Sequence, residues 1–133
     1  MLDAAFTLLA CAASLGAFLA LGFLRESDAA PPAARAPRPR LPRLGLVHAG
    51  LGGTGLLVLL AALHEHGTAI HPAAGVAGFG SIAAALIGIA LLFGLSILAT
   101  ARAGRGRASI LIAVHATLAI SGLVVLIALV SLG

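Results

Sequence analysis

The stretch LGLVHAGLGGTGLLVLLAAL, residues 44–63, holds twenty residues and no charged side chain. A helix of about 20 apolar residues crosses the ~30 Å hydrocarbon core of a bilayer, so this stretch predicts a membrane-spanning helix. Three further stretches of similar character lie at about residues 2–24, 73–99 and 108–132. The sequence therefore predicts an all-α fold, a four-helix transmembrane bundle.

The composition of the whole chain agrees with this prediction. Of its 133 residues, 61% are hydrophobic and 9% are charged, with a mean hydropathy of +1.17. Soluble domains carry about 25% charged residues, and disordered chains are poor in apolar residues. Both classes are therefore excluded. A single cysteine excludes a disulfide framework within the chain.

The basic residues predict the orientation of the chain in the membrane. All eight are arginines, and they lie in the connections between spans one and two and between spans three and four. The opposite side of the membrane, with both termini and residues 64–71, has no Arg or Lys. We expect the arginine-rich loops to be cytoplasmic and both termini to lie outside. The alanine- and arginine-rich, lysine-free composition favours a bacterial inner membrane. The arginines flank apolar spans, so the expected partner is the lipid bilayer and not nucleic acid.

One motif occurs twice in the chain. VHAGLGGTGL at residues 47–56 recurs as VHATLAISGL at residues 114–123, 67 residues further along. Repeats of this kind indicate duplicated structural units. We therefore expect a single membrane domain, residues 1–133, built from two tandem hairpins of parallel orientation, about residues 1–66 and 67–133.

A histidine stands at the same place in each copy. Positions i, i+4 and i+7 share one face of a helix, so the small residues on each histidine's face are Gly52 and Gly55 below His48, and Ala119 and Gly122 below His115. Each histidine is predicted to face a groove with few side chains.

Two interpretations of this groove compete. In one, a flat macrocycle occupies it and its iron takes an axial imidazole from each histidine. Arginines at the cytoplasmic ends of the helices would then receive the propionates, chiefly Arg43 and Arg107, with Arg40 and Arg105 beside them. In the other, the small residues let the helices approach closely and the histidines hydrogen-bond across the interface. Another cofactor, such as a chlorin, or a proton relay also stays open. Ionisable residues inside a membrane usually mark function, which favours ligation by His48 and His115.

With these histidines and glycines, spans two and four resemble b-type cytochrome membrane subunits, whose four-helix bundles carry haem between histidines of two helices. The resemblance implies haem b as cofactor, with His48 and His115 as axial ligands to its iron. It implies electron relay as the function, with a quinone or a partner protein as electron partner and other membrane subunits or a second copy as neighbours. Span four has no further histidine after His115, which argues for one haem per chain. The chain is also similar to small four-helix bacterial membrane proteins with a twin H-x-x-x-[AG]-x-x-G signature, which bring no activity with them.

A second cluster of histidines lies at the opposite side of the membrane, at His64, His66 and His71. Imidazoles are suitable ligands for zinc or copper, and a solvated loop is the competing explanation. Paired carboxylates, a Ser-His-Asp set and a phosphate-binding lysine are absent from the spans, so we do not expect an enzyme, except as an electron-transfer subunit of an oxidoreductase. The alternative function is a cofactor-free structural or assembly subunit of a larger membrane complex.

Overall fold

The chain forms four helices and, within the residues described, no strand. The computed structural model describes residues 1–29, 41–68, 76–100 and 105–132. The helices are α1 (Leu2–Ala29), α2 (Leu41–Thr68), α3 (Val76–Thr100) and α4 (Arg105–Leu132). Each contains a segment long and apolar enough to cross a membrane, and these segments are Leu2–Arg25, Arg43–Glu65, Gly78–Ile97 and Ser109–Leu132. The predicted all-α class is confirmed, and by length and composition the chain is a multi-pass membrane protein.

The helices extend beyond most ends of the apolar stretches. Helix α2 begins at Leu41, so Pro42 and Arg43 lie in its first turn. Proline is tolerated there because the first N–H groups of a helix have no acceptor within it. At its other end α2 continues to Thr68. Hydrophobicity marks the part of a helix that lies in lipid, whereas the helix itself continues into the polar interface.

The four helices are arranged as two antiparallel hairpins packed side by side. Helix α1 packs mainly on α2, and α3 packs mainly on α4. Contacts of α2 with α3 and of α1 with α4 join the hairpins. Among the described residues the backbones of α1 and α3, and those of α2 and α4, make no close contact. The two histidine-bearing helices, α2 and α4, are therefore parallel and diagonally opposite, as tandem hairpins require.

The buried core lies at one end of the bundle. Its buried residues come from the first halves of α1 and α3 and the last halves of α2 and α4, and they include Ala5, Leu9, Leu59, Ala83, Ile87 and Leu126. The hairpins contribute matching residues, since Leu59 and Leu126 are both 0% exposed. We call this the terminal half of the bundle, because both termini lie at its end.

The other half contains His48 and His115, and we call it the arginine half. It comprises residues 13–25, 43–54, 91–97 and 109–121, and none of the side chains described there is buried. The exterior of the bundle is apolar as well, with Leu57 and Ile110 both about two-thirds exposed. Such a surface is incompatible with water and fits contact with lipid.

Candidate functional site

His48 and His115 meet across the interior of the arginine half. Their ring centroids are 5.7 Å apart and their planes are inclined at 82°. Both side chains are half-buried. Because α2 and α4 occupy diagonal corners, imidazoles in contact must reach inward from both helices. The structure thus brings together the two histidines that the repeated motif singles out.

Each imidazole is held by the backbone of the neighbouring helix in its own hairpin. Nδ1 of His48 lies 2.8 Å from the carbonyl oxygen of Ala12, and Nδ1 of His115 lies 2.7 Å from that of Ala90. A carbonyl oxygen only accepts, so Nδ1 must be the donor in both bonds. In a neutral imidazole this assigns the proton to Nδ1 and leaves the lone pair on Nε2. Both Nε2 atoms are therefore the nitrogens suited to bind a metal.

Two glycines on these neighbouring helices lie directly against the rings. A Cβ built on Gly16 would lie 2.8 Å from Cε1 of His48, and one built on Gly94 would lie 3.0 Å from Cε1 of His115. Side chains larger than hydrogen would push both rings away. Ala12 and Gly16 on α1 correspond in this way to Ala90 and Gly94 on α3.

The sequence contains a signal for these partner residues, although the repeated histidine motif does not include it. It is the pattern A-x-x-x-G, at residues 12–16 and again at residues 90–94. The two copies are 78 residues apart, whereas the two histidines are 67 apart. The difference arises because the connection between α1 and α2 is longer than that between α3 and α4. A repeat search at one fixed offset finds the histidines and passes over their partners.

The small residues on the faces of the histidines have two different surroundings. Gly55 packs against Leu9, with a built Cβ 2.8 Å from the Leu9 Cγ, and Gly122 packs against Ile87, with a built Cβ 2.7 Å from its Cγ1. These two glycines are closely packed against α1 and α3 in the core of the terminal half. Gly52 lies one turn from His48 and has nothing within 4 Å of a built Cβ.

The remaining predicted site residues lie near the arginine end. Ala119 is half-buried, one turn from His115. Arg43 is exposed and precedes His48 by five residues, ~7 Å along the helix axis. Arg107 lies in the first turn of α4, and its side chain is outside the described residues.

The outer histidines are separate from this site. His64 is exposed on α2, sixteen residues from His48, which is ~24 Å along the helix axis. The prediction of a loop at this point is wrong for His64 and His66, since α2 continues to Thr68. Positions two apart on a helix do not share a face, which opposes joint ligation by this pair. His71 lies outside the described residues.

Chemically, the arginine half presents two Nε2 lone pairs in apolar surroundings. Within the described residues no group of three or more His, Cys, Asp or Glu side chains is placed to hold a metal ion. The donor set of the interior is therefore two imidazoles, which suits a metal whose remaining ligands come from a macrocycle. Protein-family models, curated proteins and solved structures were compared with the chain, and none of them matches it.

Proposed function

We propose that this protein is a small membrane subunit that binds one haem b and relays electrons, with His48 and His115 as axial ligands through Nε2. The observation that carries the proposal is the pairing of the two imidazoles from diagonally opposite helices. A bound haem supplies a one-electron iron couple. The chain supplies the ligands, their orientation and an apolar environment.

The distance between the rings fits ligation of one iron. Imidazole nitrogens bind metals at ~2 Å, so two imidazoles on opposite sides of one metal ion have ring centres roughly 6 Å apart. The observed separation is 5.7 Å. A pair that served only to pack the bundle would have no reason to match this spacing.

The hydrogen bonds of the rings also support ligation. Histidines that bind metals usually donate their other N–H to a carboxylate or a backbone carbonyl, which orients the ring and raises its basicity. The carbonyls of Ala12 and Ala90 fill this role for His48 and His115. An axial pair oriented in this way favours low-spin iron.

The packing of the arginine half supports the proposal as well. A macrocycle between α2 and α4 needs space that a closely packed core does not offer. The buried core is confined to the terminal half, and Gly52 has nothing within 4 Å of a built Cβ. The residues present therefore fit the group. Arg43 and Arg107 are proposed to receive the propionates at this end.

The arginines also support a proposed placement of the chain in the membrane. We place it in a bacterial inner membrane, with its arginine-rich loops cytoplasmic and both termini outside. The haem would then lie nearer the cytoplasmic surface. A quinone or a partner protein would exchange electrons with it, and other membrane subunits or a second copy of the chain would cover part of the apolar surface.

A second candidate function rests on the same hydrogen bonds. Each histidine joins two helices of one hairpin through a backbone carbonyl, and such interhelical bonds stabilise membrane bundles by ~0.6 kcal/mol on average. In this alternative the chain is a cofactor-free structural or assembly subunit of a larger complex. The two alternatives predict different optical properties.

The experiment that separates them is an absorption spectrum of the protein purified in mild detergent from haem-sufficient cells. Electron relay through haem b predicts a Soret band and, after dithionite, a sharp α-band of low-spin iron, with one haem per chain. The decisive contrary result is protein that folds as a helical bundle, stays colourless and takes up no added hemin. That result favours the structural subunit.

A further inference from the structure

We infer that Gly16 and Gly94 are positioning residues that fix the tautomer of the paired histidines by exposing a backbone carbonyl on the neighbouring helix. The inference deepens the proposed function. Only its consequence for haem rests on that function. The tautomer itself is a property of the chain without a ligand.

The geometry of a helix explains why these two positions require glycine. Each Cα–Cβ bond tilts toward the N-terminus, so a side chain covers the turn that precedes it. A side chain at position 16 would therefore cover the carbonyl of Ala12, which lies four residues earlier. Glycine leaves this oxygen open on one side, while the oxygen still accepts the helical N–H through its other lone pair. The ring of His48 occupies the open side.

The distances agree with this geometry. The ring atom nearest to a Cβ built on Gly16 is Cε1 of His48 at 2.8 Å, followed by Nδ1 at 3.3 Å. At Gly94 the same two atoms of His115 lie at 3.0 and 3.1 Å. A methyl group at either position would displace the ring edge that carries the bonded nitrogen.

The arrangement occurs independently in both hairpins, although the chain separations differ. Gly16 and His48 are 32 residues apart, and Gly94 and His115 are 21 apart. Other glycines of the same helices lack this contact. Gly22 on α1 has nothing within 4 Å of a built Cβ, and Gly88 on α3 has only an ordinary contact at 3.8 Å. These two glycines are matched controls.

The consequence concerns which nitrogen carries the proton. With Nδ1 bonded to a carbonyl, both imidazoles present Nε2 to a metal. If Gly16→Ala displaces the ring, Nδ1 of His48 loses its acceptor and the preference for the Nδ1–H tautomer. His115 keeps its own carbonyl, because its bond lies entirely within the second hairpin.

The test measures the tautomers directly in protein without haem. The full chain, labelled with ¹⁵N-histidine and reconstituted in lipid, is compared by solid-state NMR as wild type, Gly16→Ala, Gly94→Ala, Gly22→Ala and Gly88→Ala. We expect Nδ1–H signals from both interior histidines of the wild type. Gly16→Ala should lose the signal of His48 alone, Gly94→Ala that of His115 alone, and the two control variants neither. Assignments come from spectra of His48→Gln and His115→Gln.

A second measurement links the tautomer to haem. Removing an outer partner of a metal-bound histidine typically weakens metal binding 10–100-fold, so hemin titration should show a loss of that size for Gly16→Ala and little change for Gly22→Ala. Tautomers as expected in a chain that binds no hemin would overturn the proposed function and leave the positioning role intact. An Nε2–H tautomer at either interior histidine of the wild type, or equal behaviour of Gly16→Ala and Gly22→Ala, would overturn the positioning role. The wild-type spectrum decides even if Gly16→Ala fails to fold.

Discussion

His48 and His115 form a different kind of hydrogen bond from the neighbouring hydroxyl groups. Thr7 donates to the carbonyl of Asp3, and Ser14 donates to that of Ala10, each within its own helix. The two imidazoles instead donate to another helix. Local bonds satisfy a polar group at little cost in a membrane helix. A bond to a second helix fixes the position of the side chain between helices, as a ligand requires.

Under the proposed function the two histidines act as a pair. His48→Ala and His115→Ala should each abolish the low-spin spectrum, because one remaining imidazole leaves iron five-coordinate or water-bound. The double variant should be no worse than either single variant. The measurement is the reduced-minus-oxidised spectrum of purified protein, normalised to chain.

The control is His64→Ala, which removes an exposed imidazole sixteen residues away and should leave the spectrum unchanged. If His115→Ala retained low-spin haem while His48→Ala lost it, a ligand other than His115 would hold the iron, and the pairing would be wrong.

The histidine pair was predictable from sequence, whereas its supporting residues were not identified. A histidine in a repeated apolar motif stands out because ionisable residues are rare in membranes. Ala12 and Gly16 are among the commonest residue types of membrane helices, so their role depends on which helix faces them. That information is absent from the local pattern, and it entered only with the packing of α1 on α2.

Among the helices, existence and order were predictable and exact ends were not. Apolar length identified all four spans, because a bilayer requires about 20 such residues. The first turn of α2 contains Pro42 and Arg43, which a hydrophobicity pattern excludes. Gly55 was expected beside the groove, and it packs on Leu9 of α1 because the close hairpin contact extends into the terminal half.

The surroundings of two glycines on α2 predict opposite effects of the same substitution. Gly55→Leu inserts a side chain where a Cβ already lies 2.8 Å from Leu9 Cγ. Overpacking of this kind costs about 1–3 kcal/mol, so we expect a lower free energy of unfolding in detergent titrations. Gly52→Leu enters open space, so stability should stay the same or rise slightly.

Haem loading of these variants gives the matching comparison. Gly52 lies on the face of His48, so a leucine there should compete with the macrocycle and reduce hemin uptake without unfolding the apoprotein. Wild-type loading of Gly52→Leu would contradict the proposed occupancy of the arginine half. Gly50→Leu is the control on the same helix, since it also has nothing within 4 Å and lies on another face.

For the molecule as a whole, the distribution of arginines predicts its orientation. In a Cys11→Ala background, a cysteine at Arg38 should resist membrane-impermeant thiol reagents in intact cells, and a cysteine at Gly67 should be labelled. Detergent permeabilisation, which makes both accessible, is the control. Labelling at position 38 but not at 67 would reverse the orientation and place the paired histidines near the outer surface.

The matching contacts of the two hairpins have a consequence for how such a protein arises. His48 with Ala12 is repeated by His115 with Ala90, and Gly55 with Leu9 is repeated by Gly122 with Ile87. An interface that joins the same patch of two units is isologous, which is the commonest arrangement in homodimers. A half-length ancestor with one histidine would therefore have assembled the same pair by dimerising, and gene duplication and fusion would have joined its two copies. After fusion each half was free to diverge, and the five phenylalanines now divide unequally, three in α1 and two in α3.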